Sequence, residues 1–194
     1  MKIIGLDLSS STGISVFSVE EKTIDLVTYE HIKIKIKNFN VNDKPHLAAG
    51  YPDNLLFAAK EMAYKIIDVV GDYLTDDCIW YVENTTKGRN RHTTRFLEWL
   101  HFCLYDTIRD KPSQWEYIDV SSWRKILGLR MSKEQLKNNR DVRAKKKRGK
   151  ITPKHLSVAF ANKTFGLNLK LKDNDIADSL CIGLAGAKLW QQKK

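Results

Sequence analysis

The sequence predicts an α/β fold, a five-stranded mixed sheet flanked by helices in a single domain. Short apolar runs of strand length alternate with longer stretches of helical periodicity. The first three strand segments are joined by short links, as antiparallel neighbours allow, and the later ones are separated by helices, as parallel crossovers require. A length of 194 residues with 42% hydrophobic content suits one core with one substantial insertion, placed at about residues 128–151.

Lys2 to Leu8 reads as a buried strand, Ser9 to Gly13 as a turn and Ile14 to Val19 as the second strand. Residues 24–37 supply a third. From His31 to Lys37 isoleucines alternate with basic side chains, and lysines on an open face discourage edge-to-edge pairing. Asn38 to Tyr51 reads as loop. Asp53 is placed to cap a helix reaching about Val70, with Leu56, Ala59, Ala63, Ile66 and Val70 on its apolar face. Cys78 to Val82 is a continuous apolar run ending in Glu83, the mark of a strand buried on both faces. Residues 93–109 form an amphipathic helix through Phe96, Leu100, Cys103 and Leu104, and Trp115 to Val120 fits the fifth strand. Ser121 or Ser122 then caps a short helix holding Trp123, Ile126 and Leu127. Met131 to Lys150 is too polar for core and reads as a flexible excursion or exposed helix. Thr152-Pro153 opens another helix, with proline in its first turn, and a last one runs from about Asn174 to Trp190.

No stretch approaches the ~20 apolar residues needed to span a bilayer. The opening strand pattern argues against a secretory signal, and Cys78, Cys103 and Cys181 read as reduced core thiols. An intracellular, cytoplasmic protein is expected. The net charge of +10 is concentrated: residues 124–154 hold 13 Lys and Arg against Glu134 and Asp141, leaving the rest near neutral. Such a block fits a polyanion, nucleic acid above all, though a solvated loop without a partner has the same composition.

The acidic residues are placed less ordinarily. Asp7 sits inside an apolar strand, where an isolated carboxylate costs several kcal/mol (~) unless paired. Glu83 ends the fourth strand. If the two strands are neighbours, both acids reach the carboxyl edge of the sheet, where α/β folds place their sites. In "DNDIADSLCIGLAG", residues 173–186, Asp175 and Asp178 share a helix face, with Ile176, Leu180 and Leu184 beside it for burial. Each acid alone has a plain explanation in a helix N-terminus, a loop or a serine turn. Four together need intervening positive charge, and Mg²⁺ with oxygen ligands meets that need.

The motifs "GLDLSSSTG", "IWYVENTT" and "DNDIADSLCIGLA", in this order, resemble the RuvC-type Holliday junction resolvases of the ribonuclease H-like superfamily, bacteriophage members in particular. "VSSWRKILG" and "ITPKHLSVAF" resemble the basic stretch before the family's final helix. The resemblance implies a ribonuclease H-like sheet and a homodimer acting on four-way junctions in the (host) cytoplasm. It also implies two Mg²⁺ per site, with Mn²⁺ able to substitute, and products ending in 5′-phosphate and 3′-hydroxyl. Asp7, Glu83, Asp175 and Asp178 match the metal-binding acids, Lys154 a phosphate-stabilising lysine, and Arg124 or Lys125 a second basic position.

Thr85 and Thr86 stand where bacterial members often carry an aromatic wedge. "KGRNRH" follows, which points to phosphate contacts by Lys87, Arg89 and Arg91, with His92 as a further phosphate-contacting or structural group. Arg143, Lys145, Lys146, Lys147, Arg148 and Lys150 extend the expected DNA-binding surface. Trp99, Trp123 and Trp190 fall in helical apolar patterns and are expected in the core or a dimer contact. Three other readings share some of these features: a ribonuclease H acting on RNA–DNA hybrids, a non-catalytic DNA-binding module, and an ATP-binding actin-like or sugar-kinase-like protein. The last lacks a second glycine-rich phosphate hairpin and has no use for the basic block.

Overall fold

Five strands form one sheet in the order β3-β2-β1-β4-β5. They are β1 (Lys2–Asp7), β2 (Ser11–Val19), β3 (Ile24–Lys33), β4 (Cys78–Glu83) and β5 (Ser113–Ile118). The first three are antiparallel neighbours; β1, β4 and β5 run parallel. The helices are α1 (Asp53–Val70), α2 (Arg91–Ile108), α3 (Val120–Ile126), α4 (Lys133–Ala144), α5 (Pro153–Phe165) and α6 (Asn174–Gln192). The structure is a computed structural model and describes residues 1–36, 52–84, 91–111, 113–144 and 149–193. Lys37, the loop expected at 38–51, Thr85, Thr86, Lys87, Arg89 and Lys145 to Arg148 lie outside these residues, as does the side chain of Arg143.

Alternation along the strands divides the core into two layers. Ile4, Leu6, Ile14, Val16, Trp80 and Val82 face α1 and α2, packing on Leu55, Met62, Phe96 and Leu100. Ile3, Phe17, Ile79 and Tyr81 face the other way, toward α6, with α3 and α5 completing that side through Trp123, Val158 and Ala161. Each buried side chain of this size stabilises the fold by roughly 1.5–3 kcal/mol. Among the described residues no helix is long and apolar enough to cross a membrane. The three cysteines are free thiols, Cys78 and Cys181 buried.

Several boundaries differ from the sequence expectation, each for a local reason. β2 starts at Ser11, so the turn shrinks to Ser9-Ser10. The Thr12 hydroxyl donates to Ser9 O (2.7 Å) and the Ser11 amide to Ser9 Oγ (2.9 Å), closing the turn with side chains. β3 ends at Lys33 rather than 37, although Ile34 and Ile36 still pack on the core. Pro52, not Asp53, occupies the N-cap position of α1. Its buried stripe includes Leu55, Ala59, Met62 and Ile66, which leaves Leu56 exposed. α3 begins at Val120 after Asp119, not at a serine. The Asp119 carboxylate instead accepts from Asn84 Nδ2 (3.1 Å). The polar stretch 131–150 contains α4, an exposed helix whose Asn139 exchanges two 2.8 Å hydrogen bonds with the Ile151 backbone.

Candidate active site

The two strand-borne acids meet because their strands are in register. Leu6 pairs with Val82 across β1 and β4, so Asp7 and Glu83 are the next step at the same sheet edge. Both follow the parity of Ile3 and Ile79 and therefore lie on the α6 side.

α6 reaches this edge because glycine lets it approach closely. A Cβ on Gly5 would stand 2.5 Å from Ser179 O, and one on Gly13 would overlap the Asp175 carbonyl. The Ser15 hydroxyl donates to Ser179 O (2.7 Å), fixing the helix on β2. The first turns of α6 thus bring Asp175 against β2 near Asp7, and Asp178 near Asp7 and Glu83. Asp178 is only 6% exposed, and its Oδ1 is buried without a hydrogen-bond partner.

Burial and crowding dominate the electrostatics. Asp7 is pushed well above the usual carboxylate range by desolvation, then by Glu83, Asp178 and Asp175, with Lys154 opposing. Desolvation likewise raises Glu83, against a hydrogen bond from Trp123 and the nearby Arg124 and Lys154 charges. It raises Asp178 too, opposed by the Ser157 hydroxyl, Arg124 and Lys154. Among the described residues, Arg124 and Lys154 are the charges that oppose these shifts, two cations against the three raised carboxyls.

The donor set is all oxygen, the charge is in excess and one buried oxygen is unpartnered. These residues fit a hard divalent cation. Asp7, Glu83, Asp175 and Asp178 are the side chains that could hold it. Among the described residues no three His, Cys, Asp or Glu side chains already stand at metal-ligand spacing. The acids share an edge rather than a closed shell.

The two candidates for the second basic position have different surroundings. Arg124 lies over the Trp123 ring, 4.6 Å from its centroid, and its charge reaches Glu83 and Asp178. Lys125 is exposed and lines a separate depression with Tyr117, Asp119 and Leu189. Lys154 sits in the first turn of α5, behind the Thr152-Pro153 start. Arg91 and His92 open α2; His92 lines a cavity of about 760 Å³ with Ser9, Ser10, Asn54 and Phe96. Lys150 is exposed beyond α4.

Sequence reasoning did not assign several neighbours of the acids. Trp123, fully buried, donates from Nε1 to Glu83 Oε2 (3.1 Å), so it orients an acid as well as filling the core. The Ser11 hydroxyl donates to Asp175 Oδ2 (2.7 Å) and lies 2.8 Å from His31 Nε2; Asn174 Nδ2 donates to the other Asp175 oxygen. Placing Ser11 in the turn hid its alternation with Gly13 and Ser15 on the α6 face.

The mixed five-stranded sheet flanked by helices is a ribonuclease H-like α/β fold, and the acids stand at the carboxyl ends of its adjacent parallel strands. Within that class the fold is RuvC-like. It is similar to Thermus thermophilus RuvC in complex with a Holliday junction substrate, with a TM-score of 0.65 and 13% identity over 99% of this chain and 96% of that one. T. thermophilus RuvC in a second structure gives 0.65 and 14% identity, covering 100% and 97%. The yeast mitochondrial Holliday junction resolvase Ydc2 gives 0.54 and 13%, covering 98% and 79%. No protein-family model and no curated protein matches the sequence.

Proposed function

We propose that this chain is a Mg²⁺-dependent endonuclease that hydrolyses phosphodiesters in branched DNA, four-way junctions foremost. The observation that carries the reading is the meeting of Asp7, Glu83, Asp175 and Asp178 at one sheet edge with their charge in excess. When bound there, a pair of divalent cations, Mg²⁺ or Mn²⁺, supplies an activated water and charge stabilisation for the leaving oxygen. The chain's own residues do the rest. Asp7 and Glu83 are held by rigid strands, Trp123 orients Glu83, and Lys154 and Arg124 offer positive charge to a phosphate approaching the acids. Lys133, Lys137, Arg140 and Lys150 are exposed on or just after α4, whose Asn139 ties it to the residues preceding Lys154. Basic side chains there extend contact along the DNA backbone without reading its sequence.

The test is cleavage in Mg²⁺ of a four-way junction, a flap or three-way junction, linear duplex and an RNA–DNA hybrid. Branched DNA is expected to be cut and plain duplex spared, with chelation of the metal stopping the reaction. Equal cutting of all four, or of the hybrid alone, sinks the resolvase reading.

A junction has two strands to cut, and a homodimer supplies two sites. We assign the dimer contact to the exposed aromatic surface of α2 and β5. Phe102, Tyr105 and Tyr117 are 66%, 53% and 52% exposed, and Tyr105 and Tyr117 each meet Trp115 edge-on. His101, against the Trp115 and Tyr117 rings, has its pKa pushed down by burial to about 4, so its ring adds no charge there at neutral pH. An apolar face of this kind favours a protein partner. Light scattering on the purified chain is expected to give a dimer, and the double variant Phe102→Glu/Tyr105→Glu a monomer. A monomeric parent protein would refute the assignment.

A further inference from the structure

We infer that His31 is a positioning residue for the Asp175 carboxylate, acting through Ser11. This deepens the metal-dependent reading and rests on it. Ser11 Oγ lies between two partners, 2.7 Å from Asp175 Oδ2 and 2.8 Å from His31 Nε2. A hydroxyl has one hydrogen to give. If it went to His31, a bare imidazole nitrogen would face Oδ2 at 3.5 Å, lone pair against lone pair. The hydrogen therefore goes to Asp175, and His31 Nε2 carries a hydrogen that Ser11 accepts. The chain of donors runs His31 to Ser11 to Asp175, from β3 through β2 to α6.

Register makes this possible. His31 pairs with Gly13, and Ser11 with Lys33. Gly13 has no side chain, so the His31 ring leans across it toward Ser11, two residues along the same face. Both groups are sheltered, at 14% exposure for the His31 side chain and 19% for Asp175, so water competes weakly for these bonds.

The effect on Asp175 is specific. A carboxylate has about four acceptor positions. Ser11 takes one on Oδ2 and Asn174 one on Oδ1, which fixes the rotation of the group and leaves acceptor capacity on both oxygens for a cation. Asp178, three residues on, has a buried Oδ1 with no partner. The helix therefore presents one acid locked in orientation and one with an oxygen to spare. Hydrogen bonds that orient a ligating group typically govern 10–100-fold of metal affinity.

The experiment is titration of Mn²⁺ into the full chain, followed by electron paramagnetic resonance, for the parent protein, Ser11→Ala, His31→Phe and His31→Gln. Melting temperatures without metal are recorded alongside. Ser11→Ala and His31→Phe are expected to weaken Mn²⁺ binding by about 10-fold or more. The double variant should be no weaker than either single one, because the two act in series. His31→Gln, whose amide N–H can replace the ring donor, should recover most of the loss. Melting temperatures should not track these changes. Unchanged Mn²⁺ affinity in His31→Phe, or a loss that His31→Gln does not recover, overturns the inference and leaves His31 as a brace between β3 and α6. A parent protein that takes up no Mn²⁺ sinks the metal-dependent reading as well, which separates the two failures.

Discussion

Asp7→Asn is expected to lower cleavage of branched DNA by about 10³-fold or more, equivalent to ~4 kcal/mol of barrier, while leaving DNA binding intact. The amide has nearly the shape of the acid but removes a negative charge from the centre of the cluster. The basic surface is untouched, so a gel-shift titration in Ca²⁺ or without metal should give the parent affinity. Loss of binding together with cleavage would instead place Asp7 in the folding of the edge. The same variant has a second signature. Asp7 is raised above its ordinary value of 3.8 by burial first and by the other acids next. The native state therefore holds its proton to higher pH than the unfolded chain does. Metal-free stability from this group is full below the unfolded value and lost as pH rises through the raised native value. At pH 7 the metal-free Asp7→Asn protein should be more stable than the parent, because the amide has no charge to desolvate and none to repel the other acids. Thermal melts should show this as a rise of a few degrees. Added Mg²⁺ should reverse the order, raising the melting temperature of the parent and not of the variant.

Gly13→Ala is expected to do comparable damage without touching a charge. The new methyl group would overlap the Asp175 carbonyl, and backbone on both sides leaves no flexible side chain to yield. Overpacking of this kind costs about 1–3 kcal/mol or more. α6 must then lift at the end that carries the acids, and a misplacement of ~1 Å at a reacting centre is enough for about 10²-fold in rate. Gly71→Ala is the control. Gly71 lies at the end of α1 with helical dihedrals and open space around it, so the change should be neutral or slightly stabilising. Equal behaviour of the two variants in melting and cleavage would show that close approach at Gly13 is not what seats the helix.

The fold was legible in the sequence because its strands are strongly patterned. The continuous run Cys78 to Val82 marked a strand buried on both faces, and the hairpin-length links of the first three strands pointed to the antiparallel side of the sheet that is observed. The meeting of Asp7 with Glu83 was legible only as a condition, since strand adjacency is a property of the sheet and not of either segment. What stayed hidden is where one side chain chooses between local partners. Ser121 and Ser122 resemble caps in sequence, yet Asp119 takes the cap position of α3 and spends its carboxylate on Asn84, and Pro52 takes the cap position before Asp53. Leu56 looks as apolar as Leu55, yet a rotation of one residue decides which is buried. His31 read as one of several basic residues on an alternating face. Nothing within twenty residues of it announces Asp175, because the contact is made by a helix that begins more than a hundred residues later.

The close seating of α6 also bears on how the molecule opens. Its residues from Ala177 to Ala187 are buried, and glycine contacts at Gly5 and Gly183 leave no slack between helix and sheet. The amide hydrogens of this helix cannot reach solvent by local fraying of its middle turns. Their exchange with deuterium must wait for the whole domain to open, whereas exposed α4 can exchange on its own. Two of the four acids therefore ride at the head of an element that opens only with the domain, while the exposed basic residues of α4 ride on one that can open by itself.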